Sequence, residues 1–239
     1  MRILFIALLV PFVLSSCRYF GGEWVSGNGK IVSQQKEVGA FNSVEVHGSV
    51  DVRIRQDAGN SVKVQTDENL FEFLDIYTDG NTLVIRPRQG YRLDPSKGLV
   101  AYISAPAFRE ISLSGDCNIS SEGTISGTEE LAIEVSGSGD IKMDVSLAKI
   151  RTQISGSGSV VLRGKASEFE ARVSGSGDVK CFELQTERTA LDISGSAGAE
   201  ISASQDLDVH ISGSGTVRYK GPATLHQHVS GSGDIEKVG

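Results

Sequence analysis

One short motif recurs through the second half of the chain and limits the folds that this sequence can adopt. The motif has the form apolar-Ser-Gly-Ser-Gly-Asp-apolar, and its copies follow one another at intervals of 18 to 22 residues. In all seven copies, Ser and then Gly follow the first apolar residue. The seven leading serines are Ser114, Ser136, Ser155, Ser174, Ser194, Ser212 and Ser230. Self-similarity at a fixed period of this length is typical of proteins built from stacked supersecondary units.

Apolar residues alternate with polar residues on both sides of each motif. In the second copy, Val135 stands before the motif and Ile141 stands after it. Alternation of this kind, rich in β-branched residues, is typical of half-buried β-strands. It stays in phase across the motif, so the glycines fall on inward positions or mark a bend, whereas the Ser and Asp side chains point outward. An isolated echo of the motif stands earlier, at residues 47–51 (His-Gly-Ser-Val-Asp).

Stacked coils explain why the same residues recur at one spacing. A closed coil must bend at least twice, and Gly suits the Ser-Gly-Ser-Gly corner because it adopts positive φ at little cost. The stretches around Gly164 and Gly221 predict the second bend. We therefore predict an all-β fold, a parallel β-solenoid (single-stranded β-helix) with about 18–22 residues per coil. The alternative is an antiparallel sandwich or meander with Ser-Gly hairpins, whose strands would have no reason to repeat the same residues.

The chain before the regular repeat also has strand patterns, but without the strict spacing. Apolar, alternating runs lie at 44–54, 62–65, 83–86 and 99–104. The segment 70–77 fits either a short helical turn or a bulged strand. We assign residues 40–107 to a less regular N-terminal β part of the solenoid domain and residues 108–239 to its regular repeat part. The N-terminal part continues or caps the solenoid, because an open end would expose unpaired strand edges.

The first residues are typical of an export signal. Arg2 precedes an apolar stretch at 3–14, which is too short to span the ~30 Å hydrocarbon core as a helix. Residues 14–17 (Leu-Ser-Ser-Cys) resemble the lipobox of bacterial lipoproteins, which implies that Cys17 is the lipid attachment site. Residues 1–16 are then a lipoprotein signal peptide, and residues 17–39 are the anchor and linker. An ordinary secretory signal with an incidental Cys is the alternative.

The net charge argues against one class of partner, and the positions of the two remaining cysteines argue against a disulfide bond. The net charge of −7 argues against nucleic acid as a partner, since binding the phosphate backbone needs a basic face. Cys117 replaces a motif glycine, and Cys181 falls on a core-facing strand position about three coils away. That separation exceeds the ~7 Å Cα–Cα limit for a disulfide. We expect two free, buried thiols.

No residue pattern points to catalysis, a metal or a cofactor. The motif serines are many and equivalent, whereas a nucleophilic Ser needs its own base and orienting acid. His226 and His228 share a strand face but lack further ligands at matching spacing. The motif Asp positions form an interrupted column, which favours solvated carboxylates, with calcium binding as the alternative. We predict a non-enzymatic protein without cofactor or metal. The rival prediction is a carbohydrate-active enzyme or glycan-binding protein on a β-helix scaffold.

Two surface features are candidates for binding a partner. The first is an interaction face made of outward motif residues, which are Ser136, Ser138, Asp140, Ser174, Ser176, Asp178, Ser230, Ser232 and Asp234. The second is a basic loop in an otherwise acidic chain, with Arg86, Arg88, Tyr91, Arg92 and Lys97. The loop could bind an anionic glycan or a protein, or it could simply be a solvated connection.

Segments outside the repeat carry a family resemblance. They are residues 41–46 (Phe-Asn-Ser-Val-Glu-Val), 83–85 (Leu-Val-Ile) and 103–106 (Ile-Ser-Ala-Pro). Together with the Ser-Gly-Ser-Gly-Asp series, they resemble the autotransporter adhesin head domain family, also called the head GIN domain, over about residues 40–235. The resemblance implies a β-solenoid fold and a lipoprotein of the cell envelope, and it implies no catalytic residues.

These observations predict a lipid-anchored protein of the cell envelope, at the outer membrane, that serves as a structural or adhesion module. Its partners would be the membrane, through the N-terminal lipid, and a glycan or protein ligand on the repeated outward face. Self-association into a homo-oligomer stays open, as does the side of the membrane on which the chain lies.

Overall fold

The computed structural model describes residues 22–239; the predicted signal peptide and Cys17 lie outside the described residues. The strands of the first half are β1 (Glu23–Ser26), β2 (Ile31–Lys36), β3 (Ser43–Gly48), β4 (Asp51–Gln56), β5 (Ser61–Asp67), β6 (Leu74–Asp79), β7 (Thr82–Pro87), β8 (Tyr91–Asp94) and β9 (Val100–Ala105). Those of the second half are β10 (Glu110–Gly115), β11 (Asn118–Ser126), β12 (Glu130–Gly137), β13 (Asp140–Gly156), β14 (Ser159–Gly175), β15 (Asp178–Gly195), β16 (Gly198–Gly213), β17 (Thr216–Lys220), β18 (Thr224–Gly231) and β19 (Asp234–Lys237). A 3-10 helix (Glu68–Phe73) precedes β6.

The second half is a parallel β-solenoid, as the repeat predicted. Strands β13, β14, β15 and β16 pair in parallel with their successors, and each motif lies in register with the next. Ser155, for example, is the partner of Ser174, and Ser174 is the partner of Ser194. The stack has about seven turns. Parallel pairing excludes the antiparallel sandwich, in which neighbouring strands would run in opposite directions.

The Ser-Gly corner depends on glycine because successive backbones approach closely there. Gly175 has φ +125°, and a Cβ on it would overlap the carbonyl oxygen of Gly156 in the preceding rung. The next residue, Ser176, donates its backbone N–H to that same oxygen at 2.9 Å. Each corner is therefore hydrogen-bonded to the corner beneath it in a position that has no room for a side chain.

The second bend lies inside the long strands. In β13 the alternation of buried and exposed residues shifts phase between Leu147 and Ile150, where Ala148 and Lys149 both face away from the core. On the same side of the coil, Gly164 and Gly221 have positive φ, at +110° and +101°. The sequence-based assignment of bends to these two stretches is therefore confirmed.

The core is a set of apolar columns, one residue per rung. The column that follows the motif contains Ile119, Ile141, Val160, Val179, Ala199, Val217 and Ile235. All of these except Ile235, which lies in the last rung, are buried. Burial of aliphatic surface is the main stabilising contribution here, at about 25 cal/mol per Å². A single coil leaves its side chains exposed, so each rung depends on its neighbours.

Charged residues on the outside also stack in columns, with alternating sign. Glu130, Lys149, Glu168, Arg188 and Asp206 are register partners in sequence. The hydrogen bonds that Lys149 donates to Glu170 and Glu168 raise the pKa of Lys149, and those that Glu168 accepts from Arg188 and Lys149 lower the pKa of Glu168. In this column, Lys149 and Arg188 thus pair with the carboxylate of Glu168 on the strand between them.

The order of rungs in the stack differs from the order along the chain. The β3–β4 rung pairs on one side with β10 and β11, and on its other side with β7 and β9. His47 and Gly48 are the register partners of Ser114 and Gly115. The sequence suggested that the echo at 47–51 is isolated. In the structure it forms a corner of the stack itself.

Antiparallel strands cover the end formed by β7 and β9. Strand β5 pairs antiparallel with both β2 and β9, and β6 pairs antiparallel with β7. The segment 70–77 divides between the 3-10 helix, which fits the helical alternative, and β6, which is a strand without a bulge. The less regular N-terminal β region is confirmed: β3, β4, β7 and β9 continue the parallel stack, and antiparallel strands follow at its end.

Replacing Gly175 with Ala tests the corner geometry. We expect a loss of about 2–3 kcal/mol in the free energy of unfolding, because the positive φ and the overlap with Gly156 both oppose a side chain. Urea denaturation of the purified chain measures it. Gly59→Ala is the matched control, since a Cβ at Gly59 meets nothing within 4 Å. Equal stability of the two variants would contradict the corner geometry.

Candidate functional site

The predicted serine face forms a continuous column along one edge of the solenoid. The first motif serines are register partners from rung to rung, in the order Ser114, Ser136, Ser155, Ser174, Ser194, Ser212 and Ser230. Ser136, Ser138, Ser174, Ser176, Ser230 and Ser232 are all exposed. None of these six hydroxyls is hydrogen-bonded to another residue within 22–239. The structure therefore presents a row of free hydroxyl groups at strand spacing, about 4.8 Å.

The motif carboxylates sit beside this row and are partly engaged by the protein. Asp140 accepts hydrogen bonds from the backbone N–H and the hydroxyl of Ser159, at 3.1 and 2.8 Å. Asp178 accepts one from the backbone N–H of Gly198 at 3.2 Å. Each of these two carboxylates thus caps the following rung. In the last rung, Asp234 is exposed.

The column between these carboxylates is interrupted. Ser159 separates Asp140 from Asp178, and Gly198 and Thr216 separate Asp178 from Asp234. Within residues 22–239, no group of three or more His, Cys, Asp or Glu residues is arranged to hold a metal ion. Asp140 and Asp178 therefore bond to the backbone of the next rung.

The predicted basic loop is divided by the structure, which corrects its description as one loop. Arg86 lies in β7, and Tyr91 and Arg92 lie in β8, which pairs in parallel with β1. The Nε atoms of Arg86 and Arg88 lie 3.7 and 3.2 Å from the two carboxylate oxygens of Asp75. These two cations therefore share one carboxylate.

The rest of the predicted basic loop is placed by aromatic contacts. The Tyr91 ring packs against Phe73 with centroids 4.8 Å apart. The Arg92 guanidinium lies 5.7 Å from the ring of the exposed Trp24. Lys97 is exposed in the turn before β9. Tyr91 thus lies near the Arg86–Arg88 pair, whereas Arg92 contacts the other strand of its sheet.

Both cysteines within the described range are free and buried, as predicted. Burial raises the pKa of the Cys181 thiol to about 12, and burial also raises the pKa of Cys117. Cys117 donates a hydrogen bond from Sγ to the carbonyl oxygen of Gly48 at 3.3 Å. Since the thiolate is the reactive form, neither residue is suited to nucleophilic chemistry.

Asp67 is a buried carboxylate that the sequence patterns did not single out. It accepts hydrogen bonds from the backbone N–H of Gly29 at 2.7 Å, and from the backbone N–H and hydroxyl of Ser96 at 2.8 and 2.7 Å. Burial alone would raise the pKa of Asp67, but these hydrogen bonds outweigh it and hold the pKa below its ordinary value. Asp67 thereby ties the segment after β1 and the turn before β9 to β5.

One known protein family matches most of this chain. Residues 40–223 match the family described as "Putative auto-transporter adhesin, head GIN domain". The chain belongs to this family. The resemblance noted on the sequence is confirmed, and no protein of curated function matches the chain.

Solved structures similar to this chain show the same fold. A structure described as a putative adhesin from Bacteroides fragilis is 20% identical, with a TM-score of 0.84, and the match covers 90% of this chain and 100% of that one. A second adhesin so described, from Parabacteroides distasonis, is 26% identical with a TM-score of 0.69 and the same coverage. A protein from Parabacteroides distasonis described as a putative lipid binding protein is 25% identical with a TM-score of 0.72, covering 91% of this chain and 100% of that one.

Asp67→Asn should lower the melting temperature at neutral pH, because the amide cannot accept all three hydrogen bonds. The lowered pKa means that the stability contributed by this carboxylate is present above its unfolded pKa and is lost as pH falls through its folded pKa. The difference between wild type and variant should therefore shrink from about pH 7 to about pH 3. Melting followed by circular dichroism measures it.

Asp192→Asn is the control for this series, because Asp192 is exposed. A difference between wild type and Asp67→Asn that stayed constant over the same pH range would contradict the role given to Asp67.

Proposed function

We propose that this chain is a non-enzymatic interaction module of the bacterial cell envelope, held there by a lipid on Cys17, and that it binds its partner through the serine column. The observation that carries the proposal is the row of exposed hydroxyls that repeats at strand spacing on a backbone ladder. Membership in an adhesin family supports an envelope protein that makes contacts.

A repeated face of this kind favours multivalent binding. Each rung presents the same hydroxyl groups, and a single hydroxyl contributes weakly because it exchanges its hydrogen bond with water for one with the ligand. Once one rung is bound, the neighbouring rungs act at high effective concentration, so many weak contacts add without any new chemistry. The parallel ladder keeps the rungs at a fixed spacing, which reduces the entropy lost when a long partner binds.

The same equivalence argues for a binding role rather than catalysis. A catalytic serine or carboxylate needs an environment that sets it apart from its neighbours. Here the serines share one exposed environment in successive rungs, and Asp140 and Asp178 both cap backbone N–H groups. No observation on the described residues favours the carbohydrate-active enzyme.

Envelope attachment is the second part of the proposal. Within residues 22–239, no helix is long and apolar enough to cross a membrane. The lipobox-like Leu-Ser-Ser-Cys sequence supports a lipid on Cys17, and two acyl chains give stable attachment where one is marginal. We propose that this lipid attaches the chain to the outer membrane.

Cys17→Ala should release the chain from membranes. In cells, we expect the variant to appear in the soluble envelope fraction, because the acyl chains supply the attachment. Membrane fractionation with immunoblotting measures it. Cys117→Gly is the matched control, since it removes another cysteine and restores the motif glycine. Unchanged membrane partitioning of Cys17→Ala would refute the lipid assignment.

The serine column is tested by beads coated with the purified chain and applied to a glycan array and to immobilised envelope proteins. We expect Ser136→Ala to reduce bead retention less than about twofold, and the joint change of Ser136, Ser155, Ser174 and Ser194 to reduce it by at least about tenfold. Retention unaffected by the joint change would remove the serine column from the proposal. Saturable cleavage of any polysaccharide by the chain would overturn the non-enzymatic assignment.

A further inference from the structure

A cationic groove lies on the outer face of the N-terminal sheet, away from the serine column. Strands β2, β5, β9, β4 and β11 are neighbours there, and the groove has a volume of about 330 Å³. We call it the Tyr102 groove, and the residues that define it here are Gln35, Arg53, Ser61, Lys63, Tyr102 and Ser104. It lies within a chain of net charge −7.

Two cations in this groove flank an aromatic ring. Lys63 and Arg53 are both register partners of Tyr102, one on each neighbouring strand. The Lys63 Nζ atom lies 4.6 Å from the centroid of the ring, and the Arg53 Cζ atom lies 5.9 Å from it. Cation–π attraction at these distances holds long, flexible side chains upright beside the ring. The two positive charges are thereby placed in advance on either side of the phenol.

These two cations differ from the ion-paired cations of the outer columns, because no carboxylate pairs with them within residues 22–239. Neither Arg53 nor Lys63 forms an ion pair with another residue in 22–239. In the outer columns of the regular repeat, by contrast, Lys149, Arg151, Arg188 and Arg218 all pair with glutamates on adjacent strands. The charge on the Tyr102 groove is therefore available to an anion from outside.

The other groups in the groove suit a ligand that also carries hydroxyls. Gln35 donates a hydrogen bond to Ser61 at 3.0 Å, and Ser61 and Ser104 are partners across β5 and β9. Arg55 adds a third cation, 3.0 Å from Asp57, and Glu122 contributes one carboxylate to the lining. Neutral donors and acceptors beside unpaired cations match a sugar that bears an acidic group.

The cationic row continues along the solenoid axis. Arg53 also lines a second groove with Lys142, beside the carboxylates of Asp51 and Asp140, and Ser120 is the register partner of both cations. Lys63, Arg53 and Lys142 thus recur at every second strand, which is about 10 Å. Anionic groups about 10 Å apart along an extended ligand would therefore meet successive cations.

We propose that the Tyr102 groove binds the carboxylate or sulfate groups of an acidic polysaccharide, with the Lys63 ammonium and the Arg53 guanidinium as the contacts to the anion. Ser61, Ser104 and Gln35 hydrogen-bond the sugar hydroxyls. This inference goes beyond the proposed function, because it assigns a ligand class to residues separate from the serine column. Uronic acids and sulfated sugars share the chemistry that the groove recognises.

Isothermal titration calorimetry on the purified full chain in nonionic detergent tests the proposal. The probes are an oligogalacturonate and a sulfated heparin hexasaccharide, with cellohexaose as the neutral comparison. We expect at least one anionic sugar to bind and cellohexaose not to bind. Arg53→Gln and Lys63→Gln should each weaken binding by about fivefold to tenfold, and higher salt should weaken it further. Tyr102→Phe keeps the ring and should cost less than about threefold.

Arg109→Gln is the matched control, because Arg109 is exposed, lies outside the groove and forms no ion pair within 22–239. It should change affinity by less than about twofold. The ligand class would be overturned if neither anionic sugar bound, if cellohexaose bound equally, or if polyglutamate bound as tightly as the sugars.

If Arg53→Gln and Lys63→Gln do not change the affinity for the anionic sugars, the assignment of the binding site to this groove is overturned. These results are separable from the serine-column bead assay, which uses other residues. If the groove does not bind anionic sugars but the chain still adheres in the bead assay, only this inference is rejected.

Discussion

The approach of one backbone to the next at the Ser-Gly corner is the constraint on which the rest of the structure depends. At Gly175, the carbonyl oxygen of the rung beneath occupies the space that a Cβ would need, and the N–H of Ser176 bonds to that same oxygen. Corners can stack at strand spacing only if this position lacks a side chain. Because the corners stack, the strands on either side are brought into parallel register, and the apolar columns and outer columns follow from that register.

Register makes the surface as repetitive as the core. A residue type chosen at one position becomes a column, so serines form a row of hydroxyls and charged residues form alternating ladders. A departure from the column rule is therefore informative. Cys117 takes the place of a motif glycine and turns a small corner position into a buried thiol, while Lys63 and Arg53 flank Tyr102 without an ion pair to any of the described residues.

The two ends of the stack are different. Antiparallel strands β2, β5 and β6 cover the N-terminal end, where they pair with β7, β9 and one another. At the other end, β18 and β19 have a partner on one side only among the described residues, and Val229 is exposed. The Tyr102 groove lies in the capped part, where the antiparallel pairing of β5 with β9 brings Lys63 beside Tyr102.

Local pattern was sufficient for the regular half of the chain. Ser-Gly-Ser-Gly at one spacing, flanked by in-phase β-branched residues, determined the parallel coil, the corner glycines, the outward serines and the separation of the two buried cysteines, because each of these depends on a rung and its immediate successor. Tertiary structure alone decided the rest. The placement of the β3–β4 rung between two later segments depends on contacts between residues far apart in sequence. The hydrogen bonds of Asp67 and the Lys63–Tyr102–Arg53 group likewise join segments that share no periodicity, so no spacing along the chain could reveal them.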